Sequence, residues 1–266
     1  MTTSKVSLIE HNTAIVMTAH DQHEYTVCAL ASLAANTRKP YHVFLVDDAS
    51  TDATRMMEDK PWLTILRHPE RGRITEAWNT GMRHVLRQPF GAICLTNNDV
   101  LFGPGWLDAL LAGLDRGYTF VGPVSNQPGG TGFLRKQVVN NYVKGYRWSD
   151  APGDIAQTAT ELRRNPRYVE MDGLNGFCWA GLADTWRANA FDLGTGHVFN
   201  PAPALRDYGS EGDFFRRARR NAPDRYCAAC TASFVWHYKN ASYRAEYGKR
   251  SFKYAELDKG REYLSV

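Results

Sequence analysis

The stretch Val43-Phe44-Leu45-Val46-Asp47-Asp48-Ala49-Ser50-Thr51-Asp52 decides the fold. Its first four residues are apolar and predict a short buried strand. The polar run that follows predicts a turn and then a capped helix that starts near Thr51. A buried strand that ends in carboxylates and leads into a helix is typical of an α/β protein.

On both sides of this stretch, predicted strands alternate with predicted helices. Short apolar runs indicate the strands and apolar residues at helical spacing indicate the helices. This alternation implies a parallel sheet with right-handed crossovers. The strands are predicted over residues 13–17, 43–46, 63–66, 92–95 and 119–122, and the helices over residues 24–36, 74–86 and 106–114.

Polar residues follow three of these strands, at 18–21, at Asp47-Asp48 and at 97–99. Because a ligand lies at the carboxyl ends of the strands in such sheets, we expect the three groups to converge on one crevice. Each group also has an ordinary explanation, since Asp and Asn cap helices and form turns.

After residue 123 the sequence changes character. Residues 124–153 are rich in Gly, Pro, Asn and Gln and predict a long loop, which either shapes one side of the pocket or is a surface excursion. A mixed second half follows, and the tail 238–266 has only weak helical periodicity. In this half we predict strands over 168–172, 177–182 and 227–237, and helices around Trp186 and over 211–220.

The composition, 43% hydrophobic and 23% charged, is close to that of soluble globular proteins. No apolar run is long enough to cross a bilayer, and residues 1–11 lack a signal-peptide pattern, so we expect a cytoplasmic protein without a transmembrane segment. The net charge of +4 is modest. Basic residues cluster only at Arg216, Arg217, Arg219 and Arg220, where a solvated helix face is favoured over a nucleic-acid site.

The five cysteines are an odd number spread along the chain, which argues against a disulfide framework. Cys227 and Cys230 have the spacing of zinc ligands. No second such pair exists, so buried structural thiols are favoured.

Several motifs in their order resemble the family 2 inverting glycosyltransferases, which have the GT-A fold. The blocks that carry the resemblance are Val46-Asp47-Asp48-Ala49-Ser50-Thr51-Asp52, Asn79-Thr80-Gly81, Thr96-Asn97-Asn98-Asp99-Val100 and Pro104-Gly105-Trp106-Leu107. The resemblance extends from residue 13 to about residue 237. It implies a Rossmann-like, mostly parallel central sheet flanked by helices. It also implies one domain over 1–266, with a nucleotide-binding half at about 12–123, an acceptor-side half at about 124–237 and a C-terminal tail at 238–266.

The resemblance further implies a nucleotide-sugar donor and a divalent metal, Mn²⁺ or Mg²⁺. The diphosphate of such a donor gains negative charge as it leaves, and a cation held by a carboxylate can bridge its phosphates. By resemblance Asp99 is the metal ligand, with His237 as a further ligand. Where the family has Asp-x-Asp or Asp-Asp, this chain has Asn97 and Asn98 before Asp99, so we expect weaker metal binding and a sugar or ribose hydrogen bond from Asn98.

The same resemblance places Asp48 where the family reads the nucleotide base. Its carboxylate would accept a hydrogen bond from the ring N–H of uracil or thymine, which suits a UDP- or dTDP-linked sugar. Asp47 is expected to brace the loop. Thr18 would contact the nucleoside, and Arg73 would reach the base or the phosphate.

Inverting transfer requires a general base for the acceptor hydroxyl. Glu211 falls on the catalytic acid of relatives and is the expected base. Asp213 follows it and is either an acceptor contact or a stabiliser of the first helical turn. Asp172 is a candidate contact to donor or acceptor sugar, and Trp179 could stack on a sugar, although a Trp more often packs in a core.

Three other classes compete with this interpretation. A nucleotidyltransferase would normally have a Gly-rich basic loop after the first strand, where this chain has Ala19-His20-Asp21-Gln22. An inactive nucleotide-sugar-binding module would keep the pocket and lose the base, and Glu211 speaks against it. A nucleic-acid protein could use the basic, Tyr-containing tail. The acceptor is left open: a glycan, a lipid-linked glycan, a protein or a modified base all fit.

Overall fold

The computed structural model describes residues 12–126, 132–146, 154–207, 209–221 and 226–238. Within these ranges the chain forms nine strands and six α-helices. The strands are β1 (Thr13–Ala19), β2 (Tyr41–Asp47), β3 (Leu63–Arg67), β4 (Ala92–Asn97), β5 (Val100–Phe102), β6 (Phe120–Val124), β7 (Tyr168–Met171), β8 (Cys178–Leu182) and β9 (Cys227–His237). The helices are α1 (His23–Asn36), α2 (Arg73–Val85), α3 (Trp106–Asp115), α4 (Ile155–Arg163), α5 (Ala183–Ala188) and α6 (Ser210–Arg219).

The strands form one sheet in the order β3-β2-β1-β4-β8-β6-β9-β5, with β7 also paired to β9. The pairs among β1, β2, β3 and β4 are all parallel, as predicted from the alternation of strands and helices. Beyond β4 the sheet is mixed, because β8 runs antiparallel to both of its neighbours while β6 and β9 are parallel. The expectation of a parallel first half and a mixed second half is therefore met.

Apolar side chains cover both faces of the sheet. One core joins the sheet to α2, α5 and α6, and the other joins it to α1 and α3. Helix α2 packs directly on β1, since a methyl group at Gly81 would lie 2.3 Å from Cγ1 of Val16. Both faces of the inner strands are buried, which explains why their sequences are continuous apolar runs rather than alternating ones.

Three elements differ from the prediction. The helix expected near Thr51 is a four-residue 3₁₀ helix, Ala53–Met56, capped by the Asp52 carboxylate. Strand β5 and helix α4 were not predicted, because β5 has only three residues and α4 is a short helix without a strong apolar stripe. Part of the long loop predicted over 124–153 contains two 3₁₀ helices, Gly132–Gln137 and Val139–Asn141.

The rest of that loop, 127–131 and 147–153, and the tail beyond residue 238 lie outside the described residues. Among the described helices, none combines the length and the apolar character needed to span a bilayer.

All five cysteines are buried and free. Cys227 and Cys230 lie on β9 and belong to different cores, one on each face of the sheet. Their side chains therefore point to opposite faces of the sheet. Despite the spacing typical of zinc ligands, the two thiols cannot bind the same metal ion.

Candidate active site

The polar groups after β1, β2 and β4 meet at one edge of the sheet. Thr18 pairs in register with Val46 on one side and Asn97 on the other. The Asp48 amide donates to the Ala19 carbonyl at 2.8 Å. The predicted convergence of these strand ends is observed.

The carboxylates of Asp47 and Asp48 accept hydrogen bonds from different segments. Asp47 braces its loop, as predicted, because Oδ1 accepts from the Ser50 amide at 2.9 Å. The buried Asp48 carboxylate accepts from the amides of Gly72 and Arg73 at 2.7 and 2.8 Å, and Nδ1 of His68 lies 2.8 Å from its Oδ1. Burial raises the pKa of Asp48, but the hydrogen bonds from His68, Gly72 and Arg73 outweigh that effect and hold it below its ordinary value.

Arg73 contacts this site through its backbone. Its φ of +73° is unusual for a residue other than glycine, and its amide donates to Oδ2 of Asp48. Helix α2 begins here without a side-chain cap of its own, so the Asp48 carboxylate serves as its anionic partner. The Arg73 guanidinium extends to Asp207, at 3.4 Å.

The two asparagines at the end of β4, Asn97 and Asn98, differ in their hydrogen bonds. Asn98 is buried, and its amide donates to Oγ1 of Thr26 in α1 at 2.9 Å. This hydrogen bond uses the amide nitrogen of Asn98, and its contact with a sugar or ribose stays a prediction. Oδ1 of Asn97, at the end of β4, is buried with no hydrogen-bond partner among the described residues.

Asp99 and His237 form a close buried pair. Oδ1 of Asp99 lies 3.3 Å from Nε2 of His237, and both side chains are less than a tenth exposed. Strand pairing places Val100 opposite His237, and the Phe177 ring stacks on the imidazole at 5.1 Å. Neither ring nitrogen of His237 makes a hydrogen bond to a described residue. An imidazole without a hydrogen bond beside a carboxylate is a donor set that fits a divalent cation.

No cluster of three or more His, Cys, Asp or Glu side chains that could hold a metal occurs in the described ranges. Asp99 and His237 would therefore be two ligands of these four types from this part of the chain, and oxygens of substrate or water would be among the others.

Glu211 lies in the first turn of α6, beside the same segment. A methyl group at Gly176 would be 3.5 Å from Oε1 of Glu211, and the next residue is the Phe177 that stacks on His237. Burial raises the pKa of Glu211 above its ordinary value. A carboxyl group of raised pKa and the Asp99–His237 pair thus lie beside two adjacent residues, Gly176 and Phe177.

Three further residues that the sequence suggested as acceptor or sugar contacts are Asp213, Trp179 and Asp172, and each makes contacts within the protein or lies elsewhere. Asp213 pairs with Nε of Arg217 at 2.9 Å, which matches its alternative as a stabiliser of the helix. Trp179 is fully buried among rings that include Phe215 and Trp186, so it has no open face for a sugar. Asp172 follows β7 and lines a separate cavity of about 240 Å³ at the far end of α6.

That cavity is also lined by Tyr226 and by Arg219, and Arg219 lies about two turns of α6 beyond Glu211. The structure therefore does not bring Asp172 to the edge where the strand ends meet. Arg217 is half-buried and donates to the carbonyls of Asn189 and Val198, so it joins α6 to the segment before it. The other three arginines of the cluster are exposed, as expected for a solvated helix face.

Asn79 has a role that the sequence did not reveal. It is fully buried in α2, its Oδ1 accepts from the amides of Val198 and Phe199, and its Nδ2 donates to the Phe199 carbonyl. Thr75 adds a hydrogen bond to the Leu205 carbonyl. Helix α2 thus holds the segment 198–207, which leads into α6 and so positions Glu211.

His68 was also missed. Its only signal in the sequence is a histidine between β3 and α2, and its importance depends on contacts with Asp48 and Thr80 that are distant along the chain.

Comparison with known proteins agrees with this geometry. The sequence matches the family described as Glycosyl transferase family 2 over residues 14–181, which is more than half of the chain. The crystal structure of S. aureus TarS 1-349 is similar in fold, with a TM-score of 0.52 at 14% identity, over 95% of this chain and 70% of that one. No curated protein sequence matches this chain.

Proposed function

The chain belongs to glycosyl transferase family 2 and is a glycosyltransferase, and from that premise we propose that it is a metal-dependent inverting enzyme. It takes the sugar from a UDP- or dTDP-linked donor and transfers it to a hydroxyl acceptor. The observation that supports the proposal is that Glu211 lies beside Gly176 and His237 of the Asp99–His237 pair lies beside the adjacent Phe177. A base for the acceptor and a site for the leaving diphosphate would then face one sugar.

Asp99 and His237 would hold Mn²⁺ or Mg²⁺. When bound, the cation stabilises the negative charge that develops on the departing diphosphate. The lone carboxylate and the imidazole leave most coordination positions to phosphate oxygens, which makes the metal and the donor bind together. Asn98 would hydrogen-bond a hydroxyl of the donor sugar or of its ribose.

Glu211 would act as the general base. The acceptor oxygen attacks the anomeric carbon from the face opposite the diphosphate, Glu211 takes the hydroxyl proton, and the bond from the anomeric carbon to the diphosphate breaks. The raised pKa of Glu211 supports this role, because a stronger base accepts the proton more readily.

Asp48, Thr18 and Arg73 would form the nucleoside side of the pocket. Asp48 is held ionised by its hydrogen bonds, so its carboxylate can only accept, and a ring N–H of uracil or thymine is the matching donor. The acceptor would be a glycan, a lipid-linked glycan, a protein or a modified base, and the site of action would be the cytoplasm.

The test is a calorimetric titration of the whole protein with UDP, dTDP, GDP and CDP, each with Mn²⁺ and with a chelator. We expect binding of UDP or dTDP that requires Mn²⁺. Equal binding of all four nucleotides, or binding that ignores the chelator, would contradict the proposal. Nucleotide binding without any transfer of sugar to a panel of acceptors would favour an inactive binding module.

A further inference from the structure

His68 connects the proposed base-reading carboxylate to a polar network on α2. Its ring is mostly buried, with 11% of the side chain exposed. Nδ1 lies 2.8 Å from Oδ1 of Asp48, and Nε2 lies 2.9 Å from Oγ1 of Thr80. The ring is thus held at both nitrogens, by groups on two different elements.

The neighbouring donors decide which nitrogen carries the proton. Arg83 donates to Oγ1 of Thr80 at 2.8 Å and to Glu76 at 2.5 Å. The Thr80 hydroxyl, which already accepts from Arg83, has two acceptors within reach, Oε1 of Glu76 at 3.5 Å and Nε2 of His68 at 2.9 Å, and we assign its hydrogen to the nearer one. Asp48 is an ionised acceptor, so Nδ1 must be the donor. With the proton of His68 on Nδ1, Asp48 accepts from the ring, Nε2 accepts from Thr80, and Glu76 still accepts from Arg83.

The lone pairs of Asp48 can then be counted. An ionised carboxylate has about four acceptor positions, two on each oxygen. Oδ1 accepts from His68 and from the Gly72 amide, and Oδ2 accepts from the Arg73 amide. One acceptor position is left among the contacts of the described residues, and it is on Oδ2.

We propose that His68 is a positioning residue that fixes the Asp48 carboxylate so that a single acceptor position on Oδ2 faces the nucleotide base. This inference rests on the proposed function, because it assumes that a base binds beside Asp48. It deepens that function by assigning the choice between bases to His68. Uracil, with a ring N–H, would be accepted, and cytosine, which has an acceptor nitrogen at that position, would be refused.

Two conservative substitutions separate positioning from packing. In His68→Asn the side-chain amide nitrogen lies close to the place of Nδ1 and can still donate to Asp48. In His68→Gln it lies nearer the place of Nε2, so it can reach Thr80 but not replace the donor to Asp48. Both variants remove the ring, and a role in packing alone would affect them alike.

The experiment measures the affinities of wild type and both variants for UDP and for CDP in the presence of Mn²⁺, together with their thermal midpoints. For His68→Gln we expect a loss of about tenfold in UDP affinity, the size expected when a hydrogen bond to a charged group is lost, with CDP affinity almost unchanged. For His68→Asn we expect the ratio of UDP to CDP affinity to stay close to that of wild type. Equal ratios in the two variants would overturn the inference.

A second measurement does not depend on nucleotide binding. Nitrogen NMR of the histidine ring in the whole protein should show the proton of His68 on Nδ1, and a proton on Nε2 overturns the inference. If wild type binds neither nucleotide, the proposed function fails, whereas this spectrum still decides whether His68 donates to Asp48.

Discussion

Glu211 provides the sharpest prediction at the scale of single residues. Its pKa is raised by burial, so the carboxyl stays protonated, and inactive as a base, at pH values where an ordinary glutamate is ionised. We expect kcat to rise with pH through a midpoint above the ordinary glutamate value of 4.5. Glu211→Gln should lower kcat by about 10²–10⁴, the usual contribution of a general base, without changing donor affinity.

The matched control for Glu211 is Asp213→Asn, two residues along the same helix. Asp213 is paired with Arg217, so its loss should lower the thermal midpoint while kcat stays within a few-fold of wild type. A normal kcat in Glu211→Gln, or an equal loss of kcat in both variants, would show that Glu211 is not the base.

The raised pKa of Glu211 should also make the thermal stability of the protein depend on pH. A group whose pKa is raised by folding binds its proton more tightly when folded, so its contribution to stability falls as pH rises through that pKa. Glutamine does not ionise, so Glu211→Gln removes this fall in stability at high pH. We therefore expect the variant to gain thermal stability over wild type at pH 8 and to gain less at pH 5, as measured by scanning calorimetry.

The Asp99–His237 pair can be tested through the metal dependence of donor binding. Asp99→Asn and His237→Gln should each reduce UDP affinity in Mn²⁺ by at least about tenfold, because each removes one of two protein ligands. In chelator, the variants and wild type should bind UDP equally weakly. Asp108→Asn, which changes a partly exposed carboxylate paired with Lys39, is the control and should match wild type. Retention of full Mn²⁺-dependent affinity in either ligand variant would rule out the pair as the metal site.

The chemistry of the site residues could be predicted from the sequence better than their orientation. Asp48 was expected at the edge of the pocket, and it lies there because a strand end places it. Asn97 and Asn98 have the same side chain, yet only the Asn98 amide bonds to the hydroxyl of Thr26, 72 residues earlier, and no local pattern predicts that contact. Trp179 could not be assigned either, because its burial depends on rings from β6, α5 and α6.

At the scale of elements, we expect opposite effects on stability when each of two helical glycines is replaced by alanine. Gly81 in α2 faces Val16, and a methyl group there would come within 2.3 Å of that side chain. Gly212 in α6 has no atom within 4 Å of the same position. Gly81→Ala should therefore lower the free energy of unfolding by about 1–3 kcal/mol through overpacking. Gly212→Ala should raise it by about 0.5–1 kcal/mol, because alanine favours the helix.

Urea denaturation of both variants measures these changes. A neutral or stabilising Gly81→Ala would mean that α2 can move away from β1 at little cost, against the close packing described above. Such a movement would also affect the segment 198–207, which Asn79 holds to the same helix, and with it the position of Glu211.

The regular elements were predictable because their patterns are local. The apolar runs of β1 to β4 and the periodicity of α1 and α2 place each element within one to two residues of its observed ends. Strand β5 is too short to give a pattern and exists because it pairs with β9. The sequence also gives no sign that Asp48, which follows β2, caps α2, since that contact forms only in the folded chain.

At the scale of the whole molecule, the order of strands links the two halves of the chain. Strand β8 belongs to the second half, yet it lies between β4 and β6 of the first half. Its Ala180 pairs with Cys94 on one side and with Val121 on the other. The sequence order of the strands could not predict this insertion, because local patterns do not specify which strands are neighbours in a sheet.

This insertion predicts that the two halves cannot fold separately. A fragment that ends at residue 124 would lack β8 and β9 and would expose the unpaired edges of β4 and β6, together with the apolar side chains that Trp179, Phe214 and Phe215 cover in the core. We expect the whole protein to unfold in urea in one cooperative transition, with the same midpoint by tryptophan fluorescence and by circular dichroism. The fragment should show no cooperative transition. A fragment that unfolds sharply, or two separate midpoints in the whole protein, would mean that the nucleotide-binding half is an independent unit and that the single domain predicted over 1–266 is wrong.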